Sequence, residues 1–373
     1  MVSCDARLDQ PIQEADLFQG LRFHDISIHL GFLFTWLSCV LSFYLSLRHA
    51  INYTRPNEQK QILRILFMVP VFSVTAFFSI KFYELHVYLE TAHQFYEALV
   101  LAAFFMLLCN FLAPDLKTFK EIFADVKPRP WIPRPKFLKK RRVTTDTEEA
   151  PASGTTWPRY INQIVCLCIF QFTVVKLIVS IITLATEAVG VFCAESNSLS
   201  YAHIYINVTQ TISLTVAMGI LFHFYTQFKQ SLGPHSPFLK FLAIKIVIGL
   251  SYMQESIFNL LAGKEDSPIQ PTATISIQTL QVGLPNLILC FETMVFAILH
   301  LWAYPWKPYS VENIRARELE NGGKEGLEER SPVMTTSNNP IPAFLDAMNI
   351  LDMLKGIFEC FRWLVVKQPK SIS

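Results

Sequence analysis

Seven residues with ionisable or strongly polar side chains interrupt runs that are otherwise apolar: His93, Glu97, Lys176, Lys245, Glu255, Asn286 and Glu292. An isolated charge at the centre of a bilayer costs at least ~2.5 kcal/mol on the most lenient insertion scale. Such groups therefore face a bundle interior or a wet cavity, where partners replace water. Their spacing is ordered. Glu90, His93, Gln94 and Glu97 follow i, i+3, i+4, i+7, which is one helix face. Thr173, Lys176, Ser180 and Thr183 form another face, and Lys245, Tyr252, Glu255, Ser256 and Asn259 a third. Asn286, Thr293 and His300 recur every seven residues, with Glu292 flanking them. Acids and bases gathered in a dry interior can do one of three things. They can pair across helices, as Glu97 or Glu292 with Lys176; hydrogen-bond locally as protonated acids; or bind the polar group of a substrate. A His–carboxylate metal set from His93, Glu97 and His300 is a minor alternative. No cofactor is expected.

The elements that carry these residues read as membrane helices. Hydrophobic residues are 51% of the 373-residue chain and charged ones 17%, too apolar for two soluble domains. Apolar runs reach the ~18 residues needed to cross a hydrocarbon core of ~30 Å. Seven helices are expected: about 26–47, 62–81 with a kink at Pro70, 87–112, 160–184, 203–225, 239–262 and 275–304. Helices one, two and five lack polar stripes comparable to the other four. The fold class is all-α, a seven-helix transmembrane bundle over 26–309, after an N-terminal segment at 1–25. That segment is polar and acidic rather than basic then apolar, so the first membrane helix is expected to direct targeting.

Loop charge sets the expected orientation. Arg48, Arg55 and Lys60 lie in loop one, a basic run including "KKRR" at 139–142 in loop three, and Lys229 and Lys240 around loop five. Alternate segments are poor in base. By the positive-inside rule the N-terminus is luminal or extracellular and the C-terminus cytosolic. Loop three, 114–159, is Pro-rich and basic, and is expected to be disordered beside anionic lipid. Nucleic acid is not an expected partner. Cys4 and Cys193 fall on the oxidising side, where a disulfide between them would be stable.

Beyond a polar linker at 310–339, residues 340–367 read as an amphipathic helix. Phe344, Met348, Leu351, Phe358 and Phe361 fall near helical spacing, and "FRWL" adds Leu364. This helix would lie on the membrane or dock into a partner groove. No HExxH, GxSxG or Walker sequence is present, so the chain is not expected to be an enzyme.

Several stretches resemble a known family. "NYTRPNEQKQILRILFMVPVFS" (52–73), "FYEALVLAAFFMLLCNFL" (95–112), "LCIFQFTVVK" (167–176), "SPFLKFLAIKIVIGLSYMQ" (236–254) and "NLILCFETMVFAILHLWAYPWKPY" (286–309) resemble the signatures of the organic solute transporter α-subunit family. That family includes the transmembrane protein 184 group and plant Lazarus proteins. The resemblance implies a seven-helix protein that moves amphipathic organic solutes or lipids, passively or down a gradient. The animal branch works with a single-span β-subunit and carries a cytosolic cysteine cluster, which this sequence lacks. Fungal and plant relatives are the more similar, which implies a vacuolar or endosomal membrane, with the plasma membrane as the other option. Some fungal-type members are thought to recruit a ubiquitin-like autophagy protein through the tail, which here would use 340–367. A homo-oligomer is also compatible with the resemblance.

Overall fold

The computed structural model describes residues 12–17, 20–112, 157–193, 199–232, scattered positions within 239–261, and then 268–320, 339–356 and 358. Among them six stretches are long and apolar enough to cross a membrane: Phe23–Ile51, Pro56–Lys81, Tyr83–Leu112, Val165–Ala188, Ala202–Gln227 and Thr279–Ala303. The seventh expected helix, 239–262, falls largely outside the described residues. Those of its positions that are described are helical. Leu239, Ala243, Ile246 and Leu250, at helical spacing, pack into the main core.

Helix α1, Phe23–Ile51, has its polarity inside out. Ser27, Gly31, Thr35, Ser38, Ser42, Ser46 and His49 recur at steps of three or four and are buried. Phe32, Leu33, Trp36, Val40, Phe43, Tyr44 and Leu47 point outward. Lipid tails are as apolar as these side chains, so burying them gains little. Helices instead close on small residues that let backbones approach. At Gly31 a Cβ would sit 3.0 Å from Cδ1 of Ile80, so any larger residue there requires the Ile80 side chain to give way.

The second membrane helix is two pieces, α2 (Pro56–Leu66) and α3 (Met68–Lys81), broken at Phe67. The break lies three residues before Pro70, whose missing N–H and ring both act on the carbonyl four residues earlier, that of Leu66. The interruption therefore lies about one turn before the proline expected to kink the helix, and the helix starts at Pro56 rather than near 62. Pro56 occupies the first turn, where its missing N–H costs nothing, and the Gln59 side chain reaches back to the Arg55 N–H at 2.8 Å.

Helix α4 spans His86–Leu112, α5 Trp157–Ala188 and α6 Ala202–Gln227. The last membrane helix begins with a π turn, Thr279–Gly283, and continues as α7, Leu284–Ala303. Pro285 supplies no N–H to the preceding turn, which widens. Helix α1 packs on α2, α3 and α7; α3 also packs on α4 and α7; α4 packs on α2 and α5; and α5 packs on α6.

One end of the bundle is closed by the N-terminal segment. Ala15 N–H donates to Ala273 O at 2.7 Å. The Glu14 carboxylate accepts from His24 N–H at 2.9 Å and from Ser276 N–H and Oγ, each at 2.9 Å. One side chain thus caps the starts of both the first and the last membrane helix. Cys193 is disulfide-bonded. Cys4 lies outside the described residues.

The other end carries the tail. Part of the expected polar linker is helical: α8 spans Val311–Glu320, entered through Ser310 Oγ, which accepts from Asn313 N–H at 3.4 Å. The expected single amphipathic helix is broken. Helix α9, Ile341–Met348, ends at Asn349, whose side chain accepts from Leu351 N–H at 3.1 Å and so caps a second helical piece at 351–356. Asparagine favours such caps over helix interiors. Of loop three, expected over 114–159, residues 114–156 lie outside the described residues, while 157–159 are not loop but the first turn of α5.

Candidate functional site

Lys176 lies halfway along its membrane-spanning stretch and is 1% exposed. Its Nζ donates to Gln94 Oε1 on α4 at 3.0 Å and to Gln210 Oε1 on α6. Gln94 Nε2 donates in turn to Glu90 Oε1 at 2.7 Å. Around this centre, α5 is tied to α4 by Thr173 Oγ1 donating to Ala98 O at 3.1 Å. It is tied to α6 by a reciprocal pair. Ser213 Oγ donates to Gln171 Oε1 at 3.1 Å, and Gln171 Nε2 donates to Ser213 O at 3.2 Å. The stripe of Thr173, Lys176, Ser180 and Thr183 is buried along its length. An ammonium has three protons to place and no acceptor capacity, and amide oxygens in a dry interior can receive them.

The face of α4 divides between two neighbours. Gln94 turns to α5 and α6. His93 turns to α3, where its ring lies 4.8 Å from that of Phe72 and its Nδ1 3.4 Å from Thr75 Oγ1. Glu97, one turn on, is 2% exposed and halfway along its span.

Glu292 occupies the same depth on the last helix but a different neighbourhood. It is half-buried. Its Oε1 accepts from Gln254 Nε2, and its Oε2 has no hydrogen-bond partner among the described residues. It makes no ion pair with Lys176 among the described residues. That removes one of the two ion pairs the sequence allowed. Asn286 closes on its own helix, donating to Val282 O at 2.8 Å. His300 is buried, 5.5 Å from the Tyr304 ring, with neither ring nitrogen hydrogen-bonded among the described residues. Lys245 and Glu255 lie outside the described residues. Among the described residues no three His, Cys, Asp or Glu side chains converge as a metal set.

Sequence reasoning missed Gln210, because helix five was read as lacking a polar stripe. The stripe exists: His203, Gln210 and Ser213 share the buried face of α6 with Ala217 and Leu221. The serine-rich face of α1 was passed over for the same reason, and so were Gln59, Gln61 and Arg64 on α2, all buried. Spacing of small or neutral polar residues carried the signal on α1 and α6, where no charge marked it, whereas on α2 the charge of Arg64 did.

The end of α7 is fastened to the α1–α2 turn. His49 Nε2 meets Tyr304 O at 3.0 Å, Thr54 Oγ1 donates to Tyr309 O at 2.9 Å, and Tyr309 OH donates to Glu58 Oε2 at 2.9 Å. Burial and the adjacent Glu58 carboxylate push the Tyr309 phenol well above its ordinary range, so it remains a donor. The Arg48 guanidinium lies 3.8 Å over the Trp306 ring. An aromatic and a base stacked in this way are typical of a membrane boundary.

Apolar helices of spanning length, with their polar side chains turned inward, define a multi-pass helical membrane protein. The chain belongs to the family described as organic solute transporter Ostalpha, which it matches over residues 27–309. That is a family of transporters, not of enzymes. The match takes in the whole polar seam and stops before the tail. No solved structure matches the chain.

Proposed function

We propose that the protein is a transporter of amphipathic organic solutes or lipids, and that the seam around Lys176 holds the polar end of the cargo while the apolar body passes along the helices. The observation that carries this reading is a lysine at mid-span whose Nζ donates to amide oxygens on two neighbouring helices. An anionic headgroup is a stronger acceptor than either amide and can displace one. Glu97 and His93 lie on the adjoining face of α4. Glu292 and Asn286 line the last helix, and Lys245 and Glu255 would complete the path from a seventh helix. With no nucleotide-binding sequence, movement follows a gradient. The orientation adopted is N-terminus luminal and tail cytosolic, in a vacuolar or endosomal membrane. The scaffold reading, in which Phe344, Met348, Leu351, Phe358, Phe361 and Leu364 recruit a ubiquitin-like autophagy protein, finds less support. Phe344 is turned inward, its ring 6.0 Å from that of Phe67, and Phe361 and Leu364 lie outside the described residues.

The test is counterflow of a radiolabelled steroid sulfate into proteoliposomes. Wild-type protein should exchange label, and Lys176→Met should lose most of that exchange while keeping its elution profile. Undiminished exchange by a folded Lys176→Met protein would sink the proposal.

A further inference from the structure

We propose that the tail segment 341–358 is seated in the membrane surface, gripping the bundle with one side and burying the other among lipid headgroups and the first acyl carbons. The inner side is already occupied by protein. Ala343 and Ala347 are buried against Ala50 and Leu63, and Met353 enters the main core. Asp346 accepts from Tyr53 OH at 2.6 Å. Asp352 is held by Arg64 Nη2 at 2.7 Å and by Lys60 Nζ at 3.1 Å.

The outer side is apolar and uncovered by any of the described residues. Ile341, Leu345 and Met348 stand at i, i+4, i+7 on α9, and Leu351, Leu354 and Phe358 at i, i+3, i+7 on the second piece. Their exposures run from 52% at Leu354 to 73% at Met348. Lys355 stands exposed beside them.

Two observations say that lipid covers this face. The first is height. Helix α9 packs on α1 and α2, at the end of the bundle where Arg48 is stacked on Trp306. Aromatic–basic pairs of that kind sit at the level of the headgroups. The second is continuity. Phe43, 50% exposed on the outward face of α1, meets Phe67 with centroids 5.9 Å apart, and Phe67 meets Phe344 at 6.0 Å. An unbroken aromatic line thus runs from the lipid-facing side of α1 to the tail. The tail's outer face extends the surface that lipid already covers. It does not project into water, where an apolar strip of this size would be a liability.

The experiment is nitroxide depth measurement on full-length protein in phosphatidylcholine–phosphatidylserine vesicles. Labels are placed singly at Leu351→Cys, Met348→Cys and Lys355→Cys, with the signal of unsubstituted protein subtracted. Collision rates with oxygen and with a water-soluble nickel chelate give the depth. The expected result is ~5–10 Å below the phosphates for Leu351 and Met348, the usual depth of an interfacial helix, with Lys355 in water. Two independent apolar positions guard against one substitution failing to fold. Water-type accessibility at both apolar positions would overturn the proposal. So would spin–spin broadening between protomers, which would mean that a second copy covers the face.

Discussion

The grip of Arg64 on the tail gives a quantitative prediction. The guanidinium, its side chain 8% exposed, donates from Nε to Ala347 O at 2.8 Å and from Nη2 to Asn349 O at 2.7 Å. It also forks onto Asp352 at 2.7 and 3.2 Å. Asp352→Asn keeps the shape and removes the charge. Hydrogen bonds to a charged partner contribute ~1.5–3 kcal/mol and neutral ones ~0.5–1.5. The Asp352 side chain is 27% exposed, so solvent screening favours the low end of that difference. A loss of about 1 kcal/mol lowers the docked-to-undocked ratio by a factor of ~5. Hydrogen–deuterium exchange of peptides covering 341–356 reads this directly. Exchange there should rise by that factor in the variant, with α4 unchanged. The pH dependence has a definite sign. Burial pushes the Asp352 carboxyl up, but Arg64 and Lys60 together hold it below its ordinary value. A depressed carboxyl stabilises the docked state above its unfolded value of about 4 and loses that contribution as pH falls through the lower folded value. Protection in the wild type, corrected for intrinsic exchange, should therefore stay flat from about pH 7 to 5, and the Asn variant should show no acid-dependent loss from this group. Unchanged exchange in Asp352→Asn would refute the electrostatic grip.

Other substitutions have equally definite outcomes. At Glu14, burial pushes the carboxyl up, but hydrogen bonds from Thr279, Ser276 and His24 outweigh it and hold the value low. Glu14→Gln should lower the melting temperature in detergent, by the equivalent of about 1 kcal/mol after solvent screening. The wild type should lose that advantage only as pH drops through the depressed value, below about 4. Gly31→Leu should drive a side chain into Ile80 and destabilise by ~1–3 kcal/mol, whereas Gly31→Ala should need only a small shift; thermal unfolding separates them. Gln210→Glu should replace a neutral acceptor of Lys176 with a carboxylate, so counterflow should slow while thermal stability holds. Unaltered counterflow would remove Gln210 from the path.

The spans could be read from the sequence because a bilayer demands length and apolarity, and both are countable. The stripe through Lys176 could be read because charge in an apolar run must face inward. Partner choice could not. Whether Glu292 meets Lys176 or Gln254 depends on helix rotation and order around the bundle, which residue spacing within one helix does not encode. Neutral inward faces were harder still. The serines of α1 and the Gln210–Ser213 pair of α6 carry no charge, and hydropathy alone scores them as interruptions of an apolar run. The tail misled in another way. Periodicity joined Phe344 to Met348 and Leu351, while the cap at Asn349 divides them between two helical pieces and Phe344 turns inward.

The hydroxyls of α1 have a mechanical consequence. Ser27 and Ser38 donate back to the carbonyls of Phe23 and Phe34 in their own helix. Short of the two tips, and among the described residues, the lateral hydrogen bonds along this face gather near its middle. Thr35 Oγ1 reaches Ser73 O at 3.1 Å and Cys290 Sγ at 3.6 Å, and Cys39 Sγ reaches Ser73 Oγ at 3.9 Å. Helix α1 is therefore a beam with its fulcrum at mid-depth, fastened near one tip by Glu14 and near the other by His49 and Thr54. Opening either fastening leaves those mid-helix bonds to α3 and α7 intact.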